Sequence, residues 1–185
     1  MREAKKHKPV KNILITGNPG VGKTTLIRSI ISKLNISAGG FYTAEVRDEN
    51  GKRWGFKIIS LDGQEDVLAS VDIISPHRVG KYCVNAEAMD RVGVPAVRNA
   101  LKDDEVIVID EIGRMELTSK RFRDVVAQAL DSRKPVLGTI AIKNTHFTKK
   151  AREREDTRVI RLTRANLLEV ETYVERLLGR TRIGR

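Results

Sequence analysis

The sequence predicts an α/β fold in which a mainly parallel sheet is flanked by helices and carries a β-hairpin insertion. One observation is a set of short, mostly apolar runs, which is the pattern of strands buried on both faces. These runs occupy residues 12–16, 106–110 and 135–139. Between them, apolar residues recur at helical spacing, as at residues 26–34 and 122–130. Strands that alternate with helices in this way form a parallel sheet with helices on its faces.

The hairpin is predicted from two alternating segments on either side of Asn50-Gly51, a strong signal for a tight turn. The apolar side chains of the two segments are Tyr42, Ala44 and Val46 in the first and Trp54, Phe56 and Ile58 in the second. We expect one apolar face of this hairpin to pack on the core. Glu45 and Arg47 then share the polar face.

Residues 17–25, Gly-Asn-Pro-Gly-Val-Gly-Lys-Thr-Thr, fit the pattern G-x-x-x-x-G-K-[ST]. An apolar run precedes them and a helix-like run follows, which is the context that identifies a phosphate-binding P-loop. We therefore assign nucleotide binding to the whole loop. Its residues are Gly17, Asn18, Pro19, Gly20, Val21, Gly22, Lys23, Thr24 and Thr25.

The residue types of this loop suit a triphosphate. The glycines allow positive φ and close approach of the backbone, so that successive N–H groups can surround a phosphate at the start of a helix. Lys23 can reach the β- and γ-phosphates, which makes it a candidate catalytic residue, and the Thr24 hydroxyl is placed to bind Mg²⁺.

A second candidate group is the carboxylate pair Asp110 and Glu111, which ends the apolar run at residues 106–110. We expect this strand to lie beside the P-loop, where Asp110 can hold Mg²⁺ together with Thr24. Glu111 can then orient a water molecule or accept its proton, which makes Glu111 the second candidate catalytic residue.

The composition limits the classes of function. The 185 residues are most simply one domain, residues 1–185, with basic tails at 1–10 and 180–185. A formal net charge of +11 predicts attraction to polyanions, which nucleotides already satisfy, and no interleaved aromatic and basic residues support nucleic acid as a partner. There is no apolar run long enough for a membrane span, no signal peptide, and only the single cysteine Cys83. We expect a cytoplasmic monomer that does not bind membranes.

Four segments in chain order resemble a small nucleoside-triphosphatase family that is described in thermophiles and, in humans, as a cancer-related nucleoside triphosphatase. They are residues 39–47, 79–82, 110–117 and 138–140, which follow the P-loop, and the resemblance spans about residues 11–178. It implies a RecA-like P-loop NTPase fold and slow hydrolysis of ATP, GTP and other nucleoside triphosphates with Mg²⁺. It also implies that Lys23, Thr24, Asp110 and Glu111 are the site positions.

Other residues leave alternatives open. Glu45 and Arg47 could contact an acceptor or the γ-phosphate, or form cross-strand pairs with Arg53 or Lys57. Three further positions each allow two roles, one near the phosphates and one structural. Glu116 could lie near Mg²⁺ or cap a helix, and Thr139 could contact the γ-phosphate or bond to the backbone. Residues 143–154 could form a lid with a catalytic cation or a solvated helix.

The activity predicted from these features is Mg²⁺-dependent hydrolysis of a nucleoside triphosphate to the diphosphate and phosphate. One alternative is a kinase that transfers the γ-phosphate to a nucleotide or to a polynucleotide 5′-hydroxyl. Another is a nucleotide-gated switch whose partner supplies a missing cation.

Overall fold

The computed structural model describes residues 9–183, with side chains described as far as residue 179. Most of the predicted basic tails lie outside these residues. Within residues 9–183, no helix is both long and apolar enough to cross a membrane. The strands are β1 (Asn12–Thr16), β2 (Ala38–Arg47), β3 (Arg53–Ser60), β4 (Glu65–Ser70), β5 (Arg78–Val79), β6 (Tyr82–Val84), β7 (Val106–Ile112), β8 (Val136–Ile140) and β9 (Thr157–Arg161). The helices are α1 (Lys23–Leu34), α2 (Ala86–Ala88), α3 (Val94–Asp103), α4 (Lys120–Asp131), α5 (His146–Arg152) and α6 (Leu167–Ile183).

In the described part of the chain, nine strands form one sheet in the order β5-β6-β4-β3-β2-β7-β8-β1-β9. The neighbours β2, β7, β8, β1 and β9 pair in parallel. On the other side of β2, the neighbours β3, β4, β6 and β5 pair antiparallel. This confirms the predicted α/β fold with a hairpin insertion. The strand that carries the carboxylates is not the direct neighbour of β1, because β8 lies between β1 and β7. Any of the buried apolar runs could have occupied that position, since a run of this kind does not specify its neighbours.

Helices cover both faces of the parallel strands. On one face, Ile13 and Leu137 of the sheet pack with Ile27 of α1 and Val174 of α6. On the other, Leu14 and its neighbours pack with α3 and α4. Consecutive strand residues point to opposite faces, which is why strands buried on both faces are almost entirely apolar. The carboxyl ends of the parallel strands stay open between the two helix layers, at the edge where ligands bind in such folds.

The hairpin of β2 and β3 is present, but its apolar residues do not share one face. The register pairs Tyr42 with Ile59 and Glu45 with Phe56. Tyr42, Ala44 and Val46 therefore face the side of α1, whereas Phe56 and Ile58 face the side of α3. The expectation of one apolar face is wrong, because the register depends on backbone pairing between the strands and on a bulge at Val46/Arg47.

Candidate active site

The loop at residues 17–22 has the backbone conformation expected of a P-loop. Gly20 and Gly22 have φ of 74° and 100°, in the region that favours glycine. Gly17 is restricted differently, because a Cβ there would lie 2.6 Å from the backbone oxygen of Leu162. Gly22 caps α1, which begins at Lys23 and ends at Leu34. The three glycines therefore serve the two purposes that the sequence predicts, positive φ and close backbone approach.

The first turn of α1 is suited to bind an anion. It has neither a side-chain cap nor an acidic residue. Its free N–H groups and the positive end of the helix dipole therefore point to the position that a phosphate would occupy. The Lys23 ammonium lies over the same loop, where Nζ donates hydrogen bonds to the backbone oxygens of Gly17 at 3.1 Å and Asn18 at 3.4 Å.

Asp110 is a candidate metal ligand. It is 2% exposed, and its Oδ1 accepts a hydrogen bond of 2.5 Å from the Thr139 hydroxyl on β8. Its Oδ2 is buried and has no hydrogen-bond partner among the described residues. Burial raises the pKa of Asp110, and the hydroxyls of Thr139 and Thr24 together with the charge of Lys23 oppose that rise. A free carboxylate oxygen beside the Thr24 hydroxyl is the donor set that a magnesium site needs.

Glu111 points to a different place, although it is adjacent in sequence. Both its carboxylate and that of Glu116 lie against the Cα of Gly113, since a Cβ there would meet Glu111 Oε1 at 2.8 Å and Glu116 Oε2 at 2.7 Å. Burial raises the pKa of Glu111, the Lys23 charge lowers it, and the Asp110 carboxylate raises it further. Asp110 and Glu111 are therefore available for different tasks.

Glu116 is a buried acid and not a helix cap. The side chain that caps α4 is Ser119, which accepts a hydrogen bond from Phe122 N at 3.0 Å. Burial, with the neighbouring charge of Glu111, raises the pKa of Glu116 to about 8, while backbone N–H groups of Glu116 and Gly113 lower it. The cap interpretation is wrong, because Glu116 begins a short 3₁₀ turn, Glu116–Thr118, and its carboxylate lies against Gly113 beside that of Glu111.

The described residues contain no group of three or more His, Cys, Asp or Glu side chains arranged to hold a metal on their own. Mg²⁺ is usually held by one or two protein carboxylates together with substrate phosphates and water. The residues that fit it here are Thr24 and Asp110.

The other candidates fall into two groups. Thr139 lies in the site as the hydrogen-bond partner of Asp110. Glu45 instead forms ion pairs with Arg53 across the hairpin and with Arg47 at 3.0 Å. The cross-strand alternative therefore describes Glu45. Lys57 pairs with Glu65 of β4 at 2.6 Å, so it is not the partner of Glu45.

Most of the segment at residues 143–154 is packed into the fold. Its helix α5 connects β8 to β9, starts with a capping box between Thr145 and Thr148, and buries Ala151 in the core. Arg154 donates to Asp131 at 2.7 Å and to Asp156 at 2.9 Å. Asp156 lies at the amino end of β1, where its backbone oxygen accepts from Asn12 N. Arg154 is thus at the edge of the sheet opposite the P-loop, which rules it out as a catalytic cation.

The sequence did not indicate a cleft of about 330 Å³ beside the P-loop. It is lined by residues 18–21 on one side and by Arg161, Leu162, Thr163 and Arg164 on the other. Asn166 holds the second wall, because its Oδ1 accepts from Thr163 N at 2.7 Å. A polar loop directly after a strand is a weak signal for such a site, and it becomes informative only once β9 is known to lie beside β1.

Known proteins share this architecture. A family model described as NTPase matches residues 12–174. The nucleoside-triphosphatase THEP1 of Thermotoga sp. (strain RQ2) is 51% identical over 154 residues, which cover 83% of this chain and 87% of that protein. The crystal structure of THEP1 from Aquifex aeolicus has a TM-score of 0.81 and 40% identity, and the match covers 90% of this chain and 98% of that one.

A human protein extends the likeness beyond thermophiles. The solution structure of a human cancer-related nucleoside triphosphatase has a TM-score of 0.74 and 36% identity, and the match covers 89% of this chain and 97% of that one. The resemblance stated from the sequence is confirmed. With a family model that matches most of the chain, and with relatives at this identity and coverage, the chain belongs to the NTPase family, a family of enzymes.

Proposed function

We propose that this member of the family hydrolyses nucleoside triphosphates, ATP and GTP among them, to the diphosphate and phosphate in a reaction that depends on Mg²⁺. The observation that carries the proposal is the meeting of two parts of the chain. The anion-binding start of α1 lies next to the carboxylates that end β7, so that Thr24 is near Asp110 and Lys23 is near Glu111.

Binding of the phosphates is the task of the P-loop and Lys23. The backbone N–H groups of residues 17–24 surround the phosphate chain, and the ammonium of Lys23 neutralises charge on the β- and γ-phosphates. In the structure Lys23 Nζ rests on loop carbonyls at 3.1 and 3.4 Å, which hold it over the loop. The ammonium is therefore already close to where the phosphates would bind.

Holding the metal is the task of Thr24 and Asp110. Held by these two residues, Mg²⁺ would supply positive charge that offsets the negative charge of the phosphate oxygens. Asp110 Oδ2 is the oxygen that remains for the metal or for one of its water ligands, because Thr139 already occupies Oδ1. Thr139 thereby orients the carboxylate.

Activating water is the task of Glu111. Its carboxylate lies against Gly113, beside the carboxylate of Glu116. A water molecule held there can lose its proton to Glu111 as its oxygen attacks the γ-phosphorus. The raised pKa of Glu111 favours acceptance of that proton.

The cleft between residues 18–21 and the loop after β9 is where the base and ribose would lie. Of the described residues that line it, none is aromatic, and Arg161, Thr163 and Arg164 are exposed. Long mobile arginine side chains can adapt to more than one base, which supports hydrolysis of both ATP and GTP.

The proposal is tested by Lys23→Ala, with Lys52→Ala as the control, because Lys52 is an exposed lysine in the hairpin turn. We expect phosphate release by Lys23→Ala to fall by roughly 10²-fold or more while circular dichroism shows the wild-type fold, because lost charge stabilisation raises the barrier. Lys52→Ala should release phosphate at the wild-type rate. Wild-type turnover in folded Lys23→Ala protein contradicts the assignment.

A further inference from the structure

A second cavity, of about 410 Å³, opens on the other side of α1 from the base cleft. Its floor contains Thr24 and Asp110, and its walls come from α1, from β2 and from the end of β3. The volume lies in the range of small-molecule sites in proteins, roughly 300 to 1,000 Å³. The floor is shared with the proposed metal site, whereas the apolar walls have no part in the hydrolysis described above.

The order of the strands places this cavity relative to the nucleotide. The base cleft is beside β9, the P-loop follows β1, Asp110 is on β7, and Tyr42 of β2 lines the second cavity. A triphosphate that runs from the base cleft across the P-loop to Asp110 therefore ends with its γ-phosphate near the cavity.

The lining combines an apolar body with one cation. Ile27, Ile31, Ile59 and Leu61 form apolar walls. Arg28 stands with its guanidinium 5.1 Å from the centre of the Tyr42 ring, a cation–π contact that leaves the edge of the guanidinium available. Among the described residues, no carboxylate forms an ion pair with Arg28.

We propose that this cavity binds a second small ligand, an aromatic anion with a flat apolar ring system and one phosphate, carboxylate or sulfonate group. The ring packs between the aliphatic walls beside Tyr42, and the anionic group accepts hydrogen bonds from the edge of the Arg28 guanidinium. The ligand adjoins the γ-phosphate end of the nucleotide. It therefore lies beside the metal site of Asp110 and Thr24 and changes the rate of phosphate release.

This inference rests on the assignment of Thr24 and Asp110 to the metal. The probe is the fluorescent aromatic sulfonate anilinonaphthalene sulfonate, added to the full chain with saturating Mg²⁺ and ADP so that the base cleft is filled. We expect binding of one probe molecule in the second cavity. Leu61→Glu, which places a negative charge in the wall, and Arg28→Gln, which removes the cation, should each weaken that binding by roughly tenfold or more.

Both positions are suited to substitution, since Leu61 is 38% exposed and Arg28 is on the exposed side of α1. The matched controls are Ile74→Glu, at a fully exposed loop residue, and Arg98→Gln, at an exposed arginine of α3. Neither control should change binding. Leu168→Glu tests a different cavity, formed by β9 and α6, which also contains arginines.

The proposal is overturned if the probe does not bind, or if Leu61→Glu and Arg28→Gln bind it as the wild type does. It is also overturned if only Leu168→Glu loses binding, because the site is then the cavity of α6. A second measurement is phosphate release at saturating ATP. The probe should alter that rate in the wild type and leave it unchanged in Leu61→Glu.

Displacement of the probe distinguishes two sources of the ligand. Displacement by nucleoside monophosphates identifies a nucleotide-like ligand, whereas displacement by aromatic carboxylates identifies a carboxylate metabolite. Because binding is measured directly, a negative result leaves hydrolysis in place. Conversely, probe binding can still be measured in Lys23→Ala if the proposed roles in hydrolysis are wrong.

Discussion

Asp110 and Glu111 show how two adjacent acids acquire different surroundings. Asp110 is almost fully buried and bonded to Thr139, with one oxygen left over. Glu111 is partly exposed and lies against Gly113, beside a second acid. One carboxylate cannot easily bind a metal ion and also accept a proton from water. We therefore expect the two residues to differ when each is neutralised.

Glu111→Gln keeps the shape of the side chain but removes the oxygen that accepts a proton. It should bind the nucleotide with Mg²⁺ at near wild-type affinity and hydrolyse it on the order of 10²-fold more slowly. Asp110→Asn should instead need a higher Mg²⁺ concentration for half-maximal binding. Titrating Mg²⁺ with a fluorescent nucleotide, and measuring phosphate release, separates the two. Identical binding defects with the same metal dependence would show that the roles are not divided.

Glu116 makes stability depend on pH. Its pKa is about 8 in the folded protein against an ordinary 4.5, so between these values the folded state holds a proton that the unfolded state has released. By linkage, the free energy of unfolding falls as pH rises through that window. Glu116→Gln removes the effect. The variant should gain stability relative to the wild type between about pH 5 and about pH 9, by at most about 5 kcal/mol.

Thermal unfolding of the metal-free protein at both pH values measures this difference. Glu49→Gln, at an exposed residue of the hairpin turn, is the control and should show no such trend. A difference in Tm between Glu116→Gln and the wild type that stays constant with pH would contradict the proton-holding role.

At the scale of an element, α5 shows how a highly charged segment can be structural. Its cations look like those of a lid in sequence, but the helix buries Ala151 and Thr148. The segment ends in Arg154, which joins α4 to the start of β9 through Asp131 and Asp156. Arg152 donates to the Ala141 backbone oxygen at 2.6 Å, and burial lowers its pKa. The contacts of these charged side chains hold the connection between β8 and β9 in place.

Arg154→Gln should therefore lower stability and leave turnover unchanged. Loss of charge-assisted hydrogen bonds at this half-buried site should reduce the free energy of unfolding by roughly 1–3 kcal/mol. Denaturant unfolding gives that value, and phosphate release gives turnover. Arg133→Gln, at an exposed arginine after α4, is the control. A turnover defect without a loss of stability would return Arg154 to the list of catalytic residues.

At the scale of the molecule, the proposed nucleotide site extends across the sheet from β9 to β7. A kinase must keep water out until its acceptor binds, and a closing lid does this. The candidate lid at residues 143–154 is a packed crossover helix. In the proposed function, Glu111 acts on water and needs no acceptor. These features favour hydrolysis that does not wait for a second substrate.

We therefore expect label from the γ-phosphate of ATP to appear as free phosphate at the same rate with and without nucleoside monophosphates or 5′-hydroxyl oligonucleotides. Thin-layer separation of labelled products measures the partition, and folded Lys23→Ala protein is the control for contaminating activity. Label found mainly on an acceptor, with little free phosphate in its absence, would replace hydrolysis with phosphoryl transfer.

The sequence by itself determined the features that lie within contiguous residues. The anion site of residues 17–24 is made by consecutive backbone groups and the start of one helix, so its pattern is visible in the sequence. Asp110 and Glu111 could be identified in the same way, as polar residues that end a buried apolar run. The main elements followed from periodicity, and the family followed from four short segments.

Only the tertiary structure decided the features that depend on residues far apart in the chain. The place of β8 between β1 and β7, the opposite faces of the hairpin and the structural role of Arg154 all follow from long-range pairing. The base cleft is formed by segments more than a hundred residues apart, and the cavity beside Arg28 by segments that extend from Thr24 to Asp110. The buried state of Glu116 depends likewise on the fold around it. Contacts of this kind are set by how whole elements pack, and no local pattern of residue types encodes that packing.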